Sequence, residues 1–382
     1  MPHIIATAAG LPDHRYPQAE LTEQLQALWA EHGVNPARIA SLHANTTIET
    51  RYLAEPRERY PEMKGWAAPN EAFLRRAVEL GERALTELIG QVEIGFEDVA
   101  HLTVFSTTGI AVPSLDARLM NRLPFAPTLK RLPVYGLGCV AGASGIARAA
   151  DYLAGHPEEA AIALTVELCS LMIEPGDVSV GNLIACGLFG DAAAAVLLVG
   201  DAHPLAGTNA SAGGPLALGS SSGDGPVLAR ADHGGPAPAV RVVDSRSAAL
   251  PATERHMGWD VTDAGMRIVI SAALPDTART ALRPHVEALL SEHGLTIPDV
   301  GRWLCHPGGP RVIDAIEEGL GLDTGRLDDT RSLLRRVGNV SSASVLLLLD
   351  EAMRTAAERA GTWGVLLAMG PGFSAEIVLL RW

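Results

Sequence analysis

Two heptapeptides, 200 residues apart in the chain, constrain the fold more than any other feature of the sequence. Gly138-Cys139-Val140-Ala141-Gly142-Ala143-Ser144 is matched by Gly338-Asn339-Val340-Ser341-Ser342-Ala343-Ser344, which keeps Gly, Val, Ala and Ser at the same offsets. Each copy opens a run with helical periodicity, Ile146 to Ala154 and Val345 to Arg359. The order of elements around each copy recurs as well: helix, strand, loop, helix, then strands. A duplicated α/β chain is therefore expected. The copies differ at their second position, where a cysteine faces an asparagine. One copy can supply a nucleophile and the other a hydrogen-bonding amide.

Along the first half, His3 to Ala8 reads as a strand and Gln18 to His32 as an amphipathic helix. The charged segment Arg51 to Lys64 reads as a solvated loop. Asn70 to Gly90 places Phe73, Ala77, Leu80, Ala84 and Leu88 at helical spacing. Val99 to Ser106 is a buried-type strand, Leu115 to Leu123 a helix, and Arg131 to Tyr135 the strand that delivers Cys139. Ala160 to Val166 and Ala192 to Gly200 are continuous apolar strands, which suit a sheet covered on both faces. Between Asp201 and Val240 stand 8 Gly and 5 Pro, so no periodicity survives there. The expected division is residues 1–205, a connector 206–240, and residues 241–382. In the last part Thr262 to Leu274 and Ala281 to Leu295 read as helices, Gly301 to Cys305 as a strand and Pro310 to Leu320 as a helix. Trp363 to Met369 and Ala375 to Trp382 close the chain as strands.

Composition limits the function. With 47% hydrophobic residues the chain can bury a large core, and a formal charge of −14 argues against nucleic acid as a partner. The four cysteines, Cys139, Cys169, Cys186 and Cys305, form no CxxC pair and no metal-ligand spacing, so neither a disulfide framework nor a metal site is expected. The apolar runs are too short for a membrane span. A cytoplasmic protein is the expectation.

The chemistry concentrates in three places. Cys139 follows a Gly-rich turn at a helix start, where backbone N–H groups and the positive end of the helix dipole are expected to lower a thiol pKa. His306, in Cys305-His306-Pro307-Gly308-Gly309-Pro310, projects where a strand ends, the rim at which α/β proteins keep their sites. Asn339 alone reads as an N-cap, and only its place opposite Cys139 in the repeat marks it as functional. Cys, His and Asn in this order also occur in papain-like proteases. Those carry Cys-Gly-Ser-Cys-Trp around the nucleophile in disulfide-bearing chains, and neither is present here.

With these blocks in place, the chain resembles the type III polyketide synthases, the chalcone synthase-like branch of the thiolase superfamily. The resemblance rests on Gly138-Cys139-Val140-Ala141-Gly142, Leu188-Phe189-Gly190-Asp191, His306-Pro307-Gly308-Gly309-Pro310, and Gly338 to Ser344 running into Leu349-Asp350-Glu351. Gly370-Pro371-Gly372 is similar to the end of the family's C-terminal signature. The resemblance implies two thiolase-like α/β halves in a layered αβαβα architecture and a homodimer. It implies acyl-CoA and malonyl-CoA as substrates, without a further cofactor. Cys139 would carry the acyl thioester, while His306 and Asn339 would hold the malonyl thioester carbonyl. Phe189 would be a gatekeeper and Ile268 would replace a second one. Thr107, Cys169, Met172, Ser341, Gly308 and Pro371 would line the cavity, and Val112 would cross the dimer interface. Arg51 and Arg302 would bind CoA, with Arg57 and Lys64 as weaker candidates. Aliphatic residues at gatekeeper positions imply an aliphatic starter. Thr107-Thr108-Gly109-Ile110-Ala111-Val112-Pro113-Ser114-Leu115-Asp116 looks most like bacterial alkylresorcinol and alkylpyrone synthases. Thr107 also stands where tetrahydroxynaphthalene synthases tend to have a second cysteine. The alternatives are a ketoacyl synthase III-like enzyme using an acyl carrier protein, or a synthase using malonyl-CoA only.

Overall fold

Strands that are apolar at every position need cover on both faces, and the chain supplies it with helices. The computed structural model describes residues 1–206, 216–217, 229–230, 239–263, 265–354 and 360–382. The expected connector, 206–240, therefore lies almost wholly outside the described residues. Nine strands form the main sheet. In chain order they are β1 (His3–Gly10), β2 (Val99–Ser106), β3 (Lys130–Tyr135), β4 (Ala160–Leu168), β5 (Asp191–Val199), β6 (Val240–Ala249), β7 (Val300–Cys305), β8 (Trp363–Gly370) and β9 (Ser374–Arg381). Every residue of β4 and of β5 is buried.

The strand order is β7-β8-β9-β6-β1-β5-β4-β2-β3. Read outward from the middle, it contains one pattern twice. In each half the first strand lies antiparallel to the last, the last antiparallel to the one before it, and that one parallel to an earlier strand, β2 in the first half and β7 in the second. Strand β3 has no counterpart and ends the sheet at an open edge. The halves are joined where β1 meets β6 at His3–Arg241 and Ile4–Val240.

Two helices fill the space between the halves: α1 (Ala141–Gly155), which follows Cys139, and α2 (Ala343–Arg354), which follows Asn339. They touch each other and strands of both halves. Their burial is nearly complete, with Ala143, Ile146, Ala147, Val345 and Leu349 at 0% exposure inside one core cluster. A helix over Ala67–Ile89 covers the outer face of the first half, and helices over Leu274–Glu292 and Pro310–Leu320 cover that of the second. The result is a thiolase-like αβαβα stack.

Gly142 shows why the repeat is built from small residues. A Cβ at this position would lie 2.2 Å from the Ser342 carbonyl oxygen, so only glycine lets the two central helices approach this closely.

One expected element is of the wrong type. Thr262 to Leu274 does not form a helix: Met257–Thr262 and Gly265–Ile270 form an antiparallel hairpin outside the main sheet. Met266, Ile268 and Ile270 alternate with Arg267 and Val269, a period of two that the helical reading overlooked. The segment Arg51 to Lys64 also departs from a plain loop. Thr50–Leu53 pairs with His14–Pro17 as a two-stranded ribbon, and a 3₁₀ turn follows over Arg57–Glu62. Among the described residues no helix is long and apolar enough to cross a membrane.

Candidate active site

The two repeat loops reach their positions through backbone conformations that glycine permits. Gly138 has φ +56°, Gly338 has φ +75°, and a Cβ on Gly138 would press within 2.7 Å of the Pro371 ring. Past Gly138 a 3₁₀ turn carries Cys139 directly into the start of α1. Past Gly338, Asn339 is clasped to the loop that ends at Phe189. Its N–H donates to the Leu188 carbonyl and its own carbonyl accepts from the Gly190 N–H, both at 2.9 Å. His306 follows the last residue of β7, and its N–H donates to the Leu367 carbonyl at 2.8 Å.

These three side chains line one cavity of about 590 Å³. Phe189, Thr107, Cys169, Ile268, Ser341, Gly308 and Pro371 line it with them. The hairpin of Met257–Thr262 and Gly265–Ile270 forms part of its wall through Met257, Gly258, Trp259, Ile268 and Ile270. Met172 is buried but lies outside the lining. Val112 is 87% exposed and also outside it.

The geometry gives each polar group a distinct state. Ser341 donates its backbone N–H to Asn339 Oδ1 at 2.8 Å, which uses the acceptor of that amide and leaves the Nδ2 hydrogens for the cavity. Holding this turn requires Ser341 at φ +52°, a strained value for a residue with a side chain. Cys139 Sγ lies 3.5 Å from Ser341 Oγ. Burial pushes its thiol up to about 12, so desolvation outweighs the helix-dipole effect expected from sequence. His306 is 2% exposed, its Nδ1 has no partner, and burial lowers its pKa to about 3. Both shifts favour a neutral thiol and a neutral imidazole on the cavity wall.

Sequence reasoning missed Glu167. Burial raises this carboxyl to about 7. It accepts from Ser342 Oγ at 2.7 Å and from the Thr107 N–H at 3.1 Å, so it ties the second repeat loop to the Thr107 segment that follows β2. A lone carboxylate inside the apolar run Ala160 to Leu168 was the available signal.

The two arginines expected to bind CoA are placed otherwise. Arg51 is 2% exposed and donates to Gln18 Oε1 and to the carbonyls of Cys186 and Phe189 at 2.7–2.8 Å. It fixes the Phe189 loop from behind. Arg302 is 7% exposed, donates to the Ala352 carbonyl at 3.0 Å and lies over the Trp382 ring. Arg302 is the third residue of β7 and its guanidinium packs beneath α2, and neither arginine lines the cavity.

The neutral state of His306 has a pH signature. The unfolded chain takes up a proton near the ordinary histidine pKa of 6.5, whereas the folded protein resists it down to about 3. Below 6.5 the unfolded state therefore binds more protons, and stability falls as pH drops. Glu167 and Asp191, raised by burial to about 7 and about 6, act in the opposite sense, so the histidine contribution is isolated by difference. The stability of His306→Gln relative to the parent protein is expected to rise by about 1.4 kcal/mol per pH unit below pH 6.5. Urea unfolding of both proteins at pH 7.5 and pH 5.5 checks this.

Comparison with known proteins agrees with the architecture and with the loops just described. Residues 2–202 match the N-terminal domain of chalcone and stilbene synthases, and residues 241–382 match the C-terminal domain. The chain belongs to the chalcone and stilbene synthase family. It is a type III polyketide synthase, an acyltransferase of the decarboxylating, condensing kind. A 1,3,6,8-tetrahydroxynaphthalene synthase from Streptomyces peucetius subsp. caesius is 41% identical over 379 residues, covering 99% of this chain and 93% of that protein. A 3,5-dihydroxyphenylacetyl-CoA synthase from Streptomyces toyocaensis is 30% identical, covering 100% and 90%. The crystal structure of 1,3,6,8-tetrahydroxynaphthalene synthase from Streptomyces coelicolor A3(2) superposes with a TM-score of 0.85 at 28% identity, covering 100% of this chain and 99% of that one.

Proposed function

We propose that this polyketide synthase loads an aliphatic acyl-CoA on Cys139, extends it with malonyl-CoA and cyclises the product to an alkylresorcinol, resorcylic acid or pyrone. The observation that carries the starter class is the cavity wall. Around the catalytic trio it offers Leu42, Val180, Ile184, Ile268, Ile270, Leu274 and Met369, a surface suited to an alkyl chain.

In loading, the Cys139 proton passes to the His306 imidazole as the sulfur attacks the thioester carbonyl, and the departing CoA thiolate recovers that proton. A shift from two neutral groups to an ion pair needs the solvent-poor cavity to be filled, which couples activation to substrate binding. In extension, malonyl-CoA loses CO2 and leaves an enolate. Asn339 Nδ2 and His306 donate to the enolate oxygen, fixed donors placed where charge develops. The enolate carbon then attacks the Cys139 thioester, and the thiolate leaves. Neither a carrier protein nor a metal is required by these steps.

The 41% identity to a tetrahydroxynaphthalene synthase favours a second reading, in which malonyl-CoA is both starter and extender. Product mass spectrometry with malonyl-CoA, alone and with starters from acetyl to long-chain acyl, decides between them. Alkylated products support the first reading. Tetrahydroxynaphthalene from malonyl-CoA alone overturns it.

Trp259 is the largest side chain that the hairpin sets in the wall. Trp259→Ala is expected to enlarge the cavity and shift the preferred starter to longer chains, with the ratio of kcat/KM for long over short acyl-CoA rising about tenfold. Unchanged chain-length selectivity would show that the hairpin does not measure the starter.

A homodimer belongs to the same proposal. The edge strand β3 is open, and Ile110, Val112, Leu132 and Tyr135 present apolar surface on that side, from 45% to 87% exposed. The four cysteines are free and buried, which suits a reducing cytoplasm.

A further inference from the structure

The seam between the halves pairs His3 with Arg241 and Ile4 with Val240. The first of these pairs continues as a row across two more strands. Arg241 faces Arg381 of β9, and Arg381 faces Trp363 of β8. Directly opposed residues of neighbouring strands project on one face, so Trp363, Arg381, Arg241 and His3 stand side by side. The row lies at the end of the sheet away from the catalytic loops. Trp363 starts β8, which is 8 residues long and finishes at Gly370, next to Pro371 of the cavity wall. About 25 Å of strand separates the two ends.

Two arginines directly opposed on neighbouring strands repel each other, which is unfavourable in a sheet unless a counter-charge offsets it. Among the described residues no carboxylate does so, and the side chains of Arg241 and Arg381 make no hydrogen bond or ion pair there. Nearby acidic groups are engaged elsewhere: Asp201 with the amino group of Met1, Asp244 with His293, and Glu292 with Arg246. Arg241 is exposed and Arg381 half-buried. Arg381 Cζ lies 4.4 Å from the centre of the Trp363 ring, which restricts the guanidinium while leaving its N–H groups for an oxyanion. At the other end of the row His3 is 9% exposed, and its buried Nδ1 has no partner. In a protein of formal charge −14, an unneutralised pair of cations is a local exception.

We propose that Arg241 and Arg381 form a binding site for a phosphate group, remote from the catalytic cavity, with Trp363 and His3 closing its two ends. Charge-assisted contacts to one phosphate turn the opposed guanidinium groups from a repelling pair into a clamp. The row runs from β8 through β9 and β6 to β1, so the bound anion braces the strands at which the two halves meet. Its effect is on stability, and inorganic phosphate or a small phosphate monoester supplies the same chemistry.

Thermal unfolding in buffers of matched ionic strength tests the site. Replacing chloride by about 20 mM inorganic phosphate is expected to raise the Tm of the parent protein by about 2 °C. At least half of that rise should be lost in Arg241→Gln and all of it in the Arg241→Gln, Arg381→Gln double variant. Glycerol 3-phosphate forms a second arm: an Arg241-dependent rise larger than that with inorganic phosphate names a monoester as the ligand, and an equal or smaller one names the inorganic ion. In chloride, Arg241→Gln should be at least as stable as the parent because it removes the repulsion, and in phosphate the order should reverse. A merely structural arginine would produce the same deficit in both buffers, and that result would overturn the proposal. A parent protein that responds to neither anion, or a response of equal size in Arg241→Gln and in the double variant, would also overturn it.

Discussion

Cys139→Ala is expected to yield no polyketide from any acyl-CoA with malonyl-CoA, a loss of about 10³-fold or more. Among the described residues on the cavity wall, Cys139 and Cys169 can hold an acyl chain as a thioester, and of the two Cys139 sits in a repeat loop. Cys169 also lines the cavity, but its thiol is pushed well above the ordinary value by burial and by the neighbouring carboxyls of Glu167 and Asp191. It is therefore a poor substitute. Exchange of one buried atom should leave the fold in place, at a cost of about 1 kcal/mol. Intact-protein mass spectrometry after incubation with acyl-CoA should show an acyl adduct on the parent protein and none on the variant. Persistent product or a persistent adduct in Cys139→Ala would place the nucleophile elsewhere. Malonyl decarboxylation is expected to survive in part, because the enolate donors remain.

His306→Ala and Asn339→Ala carry the second large effect. Each removes one donor from the enolate oxygen, and each is expected to lower CO2 release from malonyl-CoA by about 10²–10³-fold. The double variant should lose little more than the worse single one, since the donors act on one oxygen. Asn339→Asp separates chemistry from folding. It keeps the oxygen that accepts from the Ser341 N–H and discards the amide hydrogens. A folded Asn339→Asp protein with the activity loss of Asn339→Ala supports the assignment, whereas decarboxylation at parental rates in both alanine variants would refute it.

The residues most legible in the sequence are those whose identity is forced by backbone geometry. The glycines of the repeat announce positive φ and close approach, and they led to Cys139 and Asn339. His306 was legible through the rigid turn after it. Long apolar runs likewise gave away β4 and β5. What stayed hidden depended on side chains meeting across the fold. Arg51 and Arg302 carry the charge that CoA requires, but local sequence does not reveal that their partners are the Cys186, Phe189 and Ala352 carbonyls. Glu167 was hidden for the same reason: its partners Ser342 and Thr107 lie 175 and 60 residues away. The hairpin was misread because its alternation is short and interrupted by Thr262 to Gly265.

The hairpin of Met257–Thr262 and Gly265–Ile270 lies outside the main sheet, whereas Cys139 and Asn339 sit in the turns that lead into the two innermost helices. Chemistry and ligand measurement are thus entrusted to regions packed to very different degrees, the central helices buried and the hairpin largely half-buried. A change near Gly142 disturbs the contact on which both halves of the protein depend, and it would be felt as misfolding before it was felt as altered reactivity. A change at Trp259 remodels one wall and leaves the stack intact. New starter preferences can therefore arise by resculpting a peripheral ribbon, with no renegotiation of the machinery that breaks and makes carbon bonds.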